Sequence, residues 1–524
     1  SAPVYLAGVA TSSGTKNLLF ALTRQSGTLL AIDAATGAVV WSKATGSGAQ
    51  WITSAPAIDP GRLYVYSHGM DGFIHKYQVG DGTEISGGGW PQLYTNRPDS
   101  ENANGSLALG TWNGTSYLYS VTSGYGESGD YQGHLTTVNL ATGTQTVFNT
   151  ICSNVTTHIG AGYLCDVGSS SGKSGIWGRG GATFDAARGK IYIVSGNGPY
   201  TADASTGNTM KWGDSVLSLA PDGVGATPGI PYDSYTPTDY ASLDNSDSDL
   251  GSMSMALLPV PAGSSIAHVG LQGGKDDTLH VINLDDMSGG GGPRHVGGEM
   301  QILDAGGEYD GAREQPAVWL DGSGSTWVFF ASFRNGVTAF KMSLGAGNVP
   351  TLTREWHVYR GSSTDTTSPV VANGVMYHVS SCPDQNSNCL VARDPATGNV
   401  LYSSAALGGL HFQSPIVVDG GVYVFDANSK LRAFGTDGTS MTFTVTPSAG
   451  ANGTISPSTP QTVSEGATTA FTVTAMTDYV AHVSGCGGTL TGMTYTTAPV
   501  TANCMVSALF VGGDLIFSDG FEGP

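Results

Sequence analysis

The chain has 524 residues, 77 of them glycine, only 12% charged side chains and a formal net charge of −20. That composition describes a turn-rich all-β protein of more than one domain, and its acidity argues against nucleic acid or an anionic membrane surface as a partner. No apolar run reaches the roughly 18 residues of a spanning helix, so no membrane span is expected.

The chain opens Ser1-Ala2-Pro3, without Met or a signal peptide, which suits a mature, secreted or periplasmic protein whose signal peptide has been removed. The first complete unit follows at residues 29–41, where a strand, the turn Asp33-Ala34-Ala35-Thr36-Gly37 and a second strand ending at Trp41 succeed one another. In this turn the Asp carboxylate bonds nearby amides and the glycine accepts positive φ. Variants return near 73–85, 134–148, 214–223, 278–286, 335–345, 389–402 and 430–438, with insertions at 90–105, 150–178 and 200–213. A period of roughly 40 to 70 residues filled by short strands is the pattern of a β-propeller, in which blades bury one another's faces and leave short edges. The repeats count to eight blades, with seven the alternative while the insertions blur the period.

Six cysteines fall as three close pairs, Cys152 with Cys165, Cys382 with Cys389 and Cys486 with Cys504. Each flanks a polar loop, and no Cys-x-x-Cys motif occurs, so three disulfides and an oxidising compartment are expected. The absence of Cys-x-x-Cys-His excludes a covalently attached c-type haem. The blade pattern stops at Gly438. We therefore divide the chain into a propeller at 1–440, a small β domain at 441–511 and a tail at 512–524. The β domain resembles small bacterial β-repeat domains of secreted and surface proteins, in Gly453-Thr454-Ile455-Ser456-Pro457, Phe471-Thr472-Val473-Thr474 and Gly485-Cys486-Gly487-Gly488. The tail Ile516-Phe517-Ser518-Asp519-Gly520-Phe521-Glu522 resembles short terminal motifs of exported proteins in some Gram-negative bacteria.

Within the repeats, Ile176-Trp177-Gly178-Arg179-Gly180-Gly181 and Ile193-Val194-Ser195-Gly196-Asn197-Gly198 resemble the eight-bladed pyrroloquinoline-quinone (PQQ) dehydrogenases. The resemblance makes Trp177 the floor on which the flat quinone stacks and Asn197 a metal ligand; an indole face and an amide oxygen suit those tasks. Asp247-Ser248-Asp249-Leu250-Gly251-Ser252 is similar to the segment whose first Asp accepts the alcohol proton, which gives Asp247 that role beside the metal. Asp249 matches a position that in some members adds a carboxylate to the metal shell and favours a lanthanide over calcium. Gly273-Gly274-Lys275-Asp276 resembles the blade whose cation reaches the quinone oxygens, so Lys275 both binds the cofactor and stabilises developing negative charge. Glu127, in Gly124-Tyr125-Gly126-Glu127, falls within about a residue of the family's metal carboxylate.

Each residue also has a plain structural reading. Trp177 can cap a blade, Asn197 can sit in a left-handed turn, Asp247 and Asp249 can belong to a solvated or structural calcium loop, and Lys275 can pair with Asp276 or Asp277. The chain departs from the family in two ways. It lacks the adjacent cysteines that often form a ring over the quinone, reading Tyr66-Ser67-His68-Gly69-Met70-Asp71-Gly72 at that blade, and its docking tryptophan Trp41 has weak echoes at Val147, Leu401 and Val445. Three functions follow as expectations. The first is an alcohol- or polymer-oxidising quinoprotein with PQQ, a calcium or lanthanide ion and an external electron acceptor. The second is a non-enzymatic secreted propeller acting in adhesion, carbohydrate binding or scaffolding. The third is a polysaccharide lyase or hydrolase using His68, His411 or funnel carboxylates.

Overall fold

In the computed structural model, residues 2–126, 130–160, 174–202, 210–305, 314–332, 336–359, 366–382, 387–407, 414–426, 430–435, 442–464, 467–500 and 503–512 are described. Eight antiparallel sheets follow one another along the chain as propeller blades. Strands Val4–Thr11, Gly14–Leu22, Thr28–Asp33 and Val39–Ala44 make the first blade, and Ala57–Ile58, Tyr64–His68, Phe73–Gln78 and Gln92–Leu93 the second. The third contains Ala108–Trp112, Thr115–Val121, His134–Asn139 and Gln145–Asn149; the fourth contains Thr183–Asp185, Lys190–Val194, Val216–Leu219 and Asp233–Tyr235. Ala256–Leu258, Val269–Gly273, Thr278–Asn283 and Gln301–Asp304 form the fifth. The sixth and seventh begin at Ala317–Leu320 and Val370–Ala372, and the eighth has three described strands, Ile416–Val418, Gly421–Phe425 and Leu431–Gly435.

The recurring turn works as its letters require. Asp33 Oδ1 accepts the Ala35 N–H at 3.0 Å, Gly37 N–H donates to Asp33 O at 2.8 Å, and Gly37 takes φ of 72°. Asn139 and Asp394 repeat the arrangement, bonding Ala141 and Thr142 in one blade and Ala396 and Thr397 in another. Blades then dock through indoles. Trp41 Nε1 donates to Val79 O of the next blade at 3.0 Å, and its ring lies so close over Gly82 that a Cβ there would sit 2.7 Å from it. Trp356 repeats the contact, donating to Pro395 O at 2.9 Å above Gly398. The docking device therefore recurs at Trp356, whereas Leu401 is 59% exposed and Val445 belongs to the core of the C-terminal sheets. Between blades lie Leu18, Phe20, Leu29, Val65, Ile74 and Leu118, all buried in one cluster. Fully burying each contributes about 1.5 to 3 kcal/mol.

The chain forms two compact units, one of Ser1–Val417 with Tyr423–Ala433 and a second of Val418–Val422 with Phe434 onward. Beyond residue 441 two four-stranded sheets enclose a separate core. Gln461–Ser464, Thr442–Ala449, Cys504–Gly512 and Tyr479–Ser484 neighbour one another in the first, and Gly453–Ser456, Ala470–Ala475, Thr494–Thr496 and Thr489–Thr491 in the other. Val445, Ile455, Phe471, Val473, Tyr495 and Val506 fill the space between them. Cys382 pairs with Cys389 and Cys486 with Cys504, as their spacing predicts. Cys165 lies outside the described residues; Cys152 is itself disulfide-bonded. No helix of the described residues is long and apolar enough to cross a membrane.

Candidate functional site

Topology decides where the predicted residues can meet. In a four-stranded antiparallel blade the start of the first strand and the turn between the second and third lie at the same end. Trp177 precedes Thr183–Asp185, Asn197 follows Lys190–Val194, Asp247 and Asp249 precede Ala256–Leu258, and Lys275 follows Val269–Gly273. All five thus belong to one end of the fourth and fifth blades, opposite the Asp-x-x-Thr-Gly turns.

At that end they form one connected cluster. Lys275 Nζ lies 2.6 Å from Asp247 Oδ1 and 2.5 Å from Asp249 Oδ2, and 5.3 Å from the centre of the Trp177 ring. Asn197 Nδ2 donates to Asp247 Oδ1 at 3.0 Å, while its backbone N–H donates to Asp249 Oδ1 at 2.6 Å. Lys275 therefore pairs with Asp247 and Asp249, not with Asp276 or Asp277; Asp277 is buried and receives the Ser332 hydroxyl at 2.7 Å. Gly196 is needed beneath the cluster, because a Cβ there would stand 2.1 Å from Asp249 Oδ1 and 3.1 Å from Trp177 Nε1. Glu127 lies outside the described residues.

The two carboxylates differ in setting. Asp249 has a side chain only 6% exposed, whereas that of Asp247 is 57% exposed. Asp247 ends the helix Tyr240–Ser246 in the left-handed conformation, with φ of 55°, which turns the chain out of the helix. Its Oδ1 takes both bonds, from Lys275 and from Asn197, and no described residue bonds Oδ2. Burial pulls the Lys275 ammonium toward neutrality, but the charge of Asp249 and the bonds it donates to both carboxylates outweigh it and hold its pKa above the ordinary lysine value. Behind Asp249 stands Asp214, a residue without a signal in the sequence. Asp214 Oδ1 accepts the Leu250 N–H at 2.9 Å, and burial, reinforced by the Asp249 charge, pushes its carboxyl well above the usual range.

Beside this cluster opens a cavity of about 230 Å³, to which Trp177, Asp249 and Lys275 contribute. The rest of its lining comes from the second to fourth blades, including Trp51, Asn104, Ser123, Tyr125, Tyr131 and Arg179. Those loops are tightly braced. Ser123–Gly124 pairs with Glu101–Asn102 as a short ladder, the buried Arg97 and Glu101 form an ion pair at 2.8 Å, and Asn104 Nδ2 donates to Ser123 Oγ at 2.8 Å. Arg179 Nη1 donates to Thr53 Oγ1 at 2.8 Å. A signal for Trp51 exists in the repeat itself, since it stands six residues ahead of Ala57 as Trp177 stands six ahead of Thr183.

The donor set suits a hard cation. The two carboxylates meet at the Lys275 ammonium, and Asn197 faces them with its N–H groups, while its Oδ1 is buried without a hydrogen-bond partner among the described residues, an acceptor that a cation would satisfy. Among the described residues no group of three or more His, Cys, Asp or Glu gathers to hold a metal, so the amide and Glu127 would have to complete the shell. His68 offers no hydrolytic chemistry: it is fully buried between Ser54 and Ser120, and burial lowers its pKa to about 3. His411 lies outside the described residues.

Residues 5–229 match the sequence model of a PQQ-type repeat family described as outer membrane protein assembly factor BamB. No curated protein matches the chain. Among solved structures, a quinohemoprotein alcohol dehydrogenase from Pseudomonas putida HK5 is similar at 13% identity and a TM-score of 0.51, over 80% of this chain and 68% of that one. The quinohemoprotein alcohol dehydrogenase of Comamonas testosteroni gives 16% identity and a TM-score of 0.49 over 81% and 69%. BamB from Moraxella catarrhalis gives 12% and 0.46 over 84% and 98%. At 13% identity the likeness to the Pseudomonas putida structure is one of fold, a β-propeller.

Proposed function

We propose that this chain, a PQQ-like β-propeller, is an exported quinoprotein that oxidises an alcohol or polyhydroxylated substrate and passes electrons to a separate acceptor. The observation that carries the reading is the connected cluster of Trp177, Asn197, Asp247, Asp249 and Lys275, three of whose members, Trp177, Asp249 and Lys275, line one cavity. Trp177 offers an indole face to a flat ring, and Asp247, Asp249 and Asn197 Oδ1 would hold a calcium or lanthanide ion. Bound PQQ would supply the two-electron acceptor, and a bound cation the Lewis acid.

The chain's own residues divide the remaining work. Asp247 Oδ2, which no described residue bonds and which belongs to a side chain 57% exposed, takes the substrate hydroxyl proton. Asn197 Nδ2 and Lys275 Nζ hold the carboxylate through Oδ1 and so aim Oδ2 at the incoming hydroxyl. Lys275 contributes the positive charge that stabilises an anion next to Trp177. The disulfides fit an oxidising, extracytoplasmic compartment.

The test is reconstitution with PQQ plus calcium or a lanthanide, followed by mass spectrometry, visible absorption and dye-linked oxidation of alcohols and polyols. We expect stoichiometric uptake, with Asp247→Asn retaining the cofactor but losing turnover and Trp177→Ala losing affinity. Absence of uptake with either metal would reject the reading. The family match at residues 5–229, whose description is an assembly factor, supports a second reading as a non-enzymatic exported scaffold. In that case the Asp247–Lys275–Asp249 ion pairs act solely to brace the fifth blade, and the Asn197 bonds to both carboxylates clip it to the fourth.

A further inference from the structure

The cavity beside Trp177 has a second aromatic wall. Trp51 and Tyr125 both line it, and both are only partly buried, whereas the polar side chains of Asn104 and Ser123 that share the lining are buried. Their rings meet edge to face with centroids 5.2 Å apart. Neither is loosely held. The Arg24 guanidinium covers the Trp51 ring at 4.8 Å, the Tyr125 hydroxyl donates to Pro98 O at 2.7 Å, and the same oxygen accepts the Gln50 N–H at 3.1 Å.

The pair is fixed at its polar ends and remains partly exposed, so it presents aromatic surface to the cavity it shares with Trp177. Burying a Tyr hydroxyl into two backbone bonds aims the ring and leaves its faces available. The repeat relation strengthens the point, because Trp51 occupies in the second blade the place that Trp177 occupies in the fourth. Two equivalent positions around one axis present indoles to one space.

We infer that Trp51 and Tyr125 form a second recognition wall of the Trp177 cavity, so that a flat conjugated ligand is held between aromatic surfaces from the second, third and fourth blades. The inference rests on the quinone reading for the identity of the ligand, but not for the existence of the wall. It makes Trp51 and Tyr125 determinants of which ring systems are accepted: saturated or bulky ligands lose contact on one side, while planar ones gain it on both.

The experiment is a titration of the full chain with PQQ and, separately, with phenazine, a planar tricycle that cannot replace the quinone's redox chemistry at an ortho-dione. Binding is read by ligand absorbance and tryptophan fluorescence in the parent and in Trp51→Leu. A ring contact of this kind is worth about tenfold in affinity, so Trp51→Leu should raise Kd about tenfold for whichever tricycle binds. If PQQ binds the parent and Trp51→Leu equally, the wall is refuted while the quinone reading stands. If phenazine binds through Trp51 and PQQ does not bind, the wall stands and the quinone reading falls. If neither binds, the wall is refuted. Should Trp51→Leu fail to fold, hydroxyl-radical footprinting of the parent decides: Trp51 and Tyr125 protected together with Trp177 support the wall, and protection of Trp177 alone overturns it.

Discussion

Replacing Lys275 with Gln removes the one ammonium that lies between Asp247 and Asp249, and the cost can be worked from their surroundings. Asp247, with a side chain 57% exposed, keeps water as a partner, so loss of its ion pair costs at most about 1 kcal/mol. Asp249 is 6% exposed and would be left as a buried carboxylate facing the buried Asp214, a situation worth about 3 to 5 kcal/mol. Because the Asn197 N–H still bonds Asp249 Oδ1, the lower end applies and we expect a loss of about 3 kcal/mol. Unfolding entropy of about 2.1 cal/mol/K per residue gives roughly 0.9 kcal/mol/K for a unit spanning Ser1–Val417 and Tyr423–Ala433, hence a drop in Tm of about 3 °C. Calorimetry at neutral pH reads this directly. Asp249→Asn, made on top of Lys275→Gln, removes the stranded charge and keeps an oxygen for Asn197, so the double variant should regain about 2 kcal/mol. A Lys275→Gln melt within about 0.5 °C of the parent, or a double variant that melts lower than the single one, would refute the reasoning.

Three further outcomes are expected. Closing loops of 7 and 18 residues, the Cys382–Cys389 and Cys486–Cys504 bridges contribute about 2.4 and 3.2 kcal/mol, so paired Cys→Ala variants should lose those amounts in denaturant titrations. His68, His134 and His158 have pKa values lowered by burial to about 3, 4 and 3, so the unfolded chain binds their protons first. Their contribution is intact above the unfolded value near 6.5 and is lost as pH falls from there toward about 4, by about 1.4 kcal/mol per pH unit for each; His68→Gln should flatten the measured slope by one such share. Finally, we propose that the propeller is independent of the C-terminal sheets, so that a chain ending near residue 440 melts within about a degree of the parent. A molten or insoluble product would show that strands beyond that point complete the last blade.

How much could be read without coordinates depended on whether a feature repeats. The Asp33–Gly37 turn recurs with the same bonds at Asn139 and Asp394, so its period exposed the blades directly. Docking was harder to see, because the indole of Trp356 sits at a different distance from its turn than Trp41 does, and the contact it makes is with another blade's backbone. The cluster around Lys275 was legible as chemistry in order along the chain, since blades at a common end bring such residues together. Asp214 was not legible at all: a single Asp between Gly213 and Ser215 carries no hint that its carboxyl faces another carboxylate in the interior. Trp51 could have been found by aligning the second blade on the fourth, a comparison that matters only once a Trp ahead of the first strand is known to face a cavity.

The left-handed turn at Asp247 places two selective forces in opposition. With φ of 55°, this position closes the helix Tyr240–Ser246 where glycine is the residue of least strain. Asp247→Gly would relax the backbone but delete the carboxylate that Lys275 and Asn197 bond, two effects of about 1 kcal/mol each and of opposite sign. Aspartate tolerates this conformation better than most residues, and Asp214, Asp277, Asp419 and Asp478 adopt it elsewhere in the chain, so what separates Asp247 from them is the exposed carboxylate it turns toward Lys275.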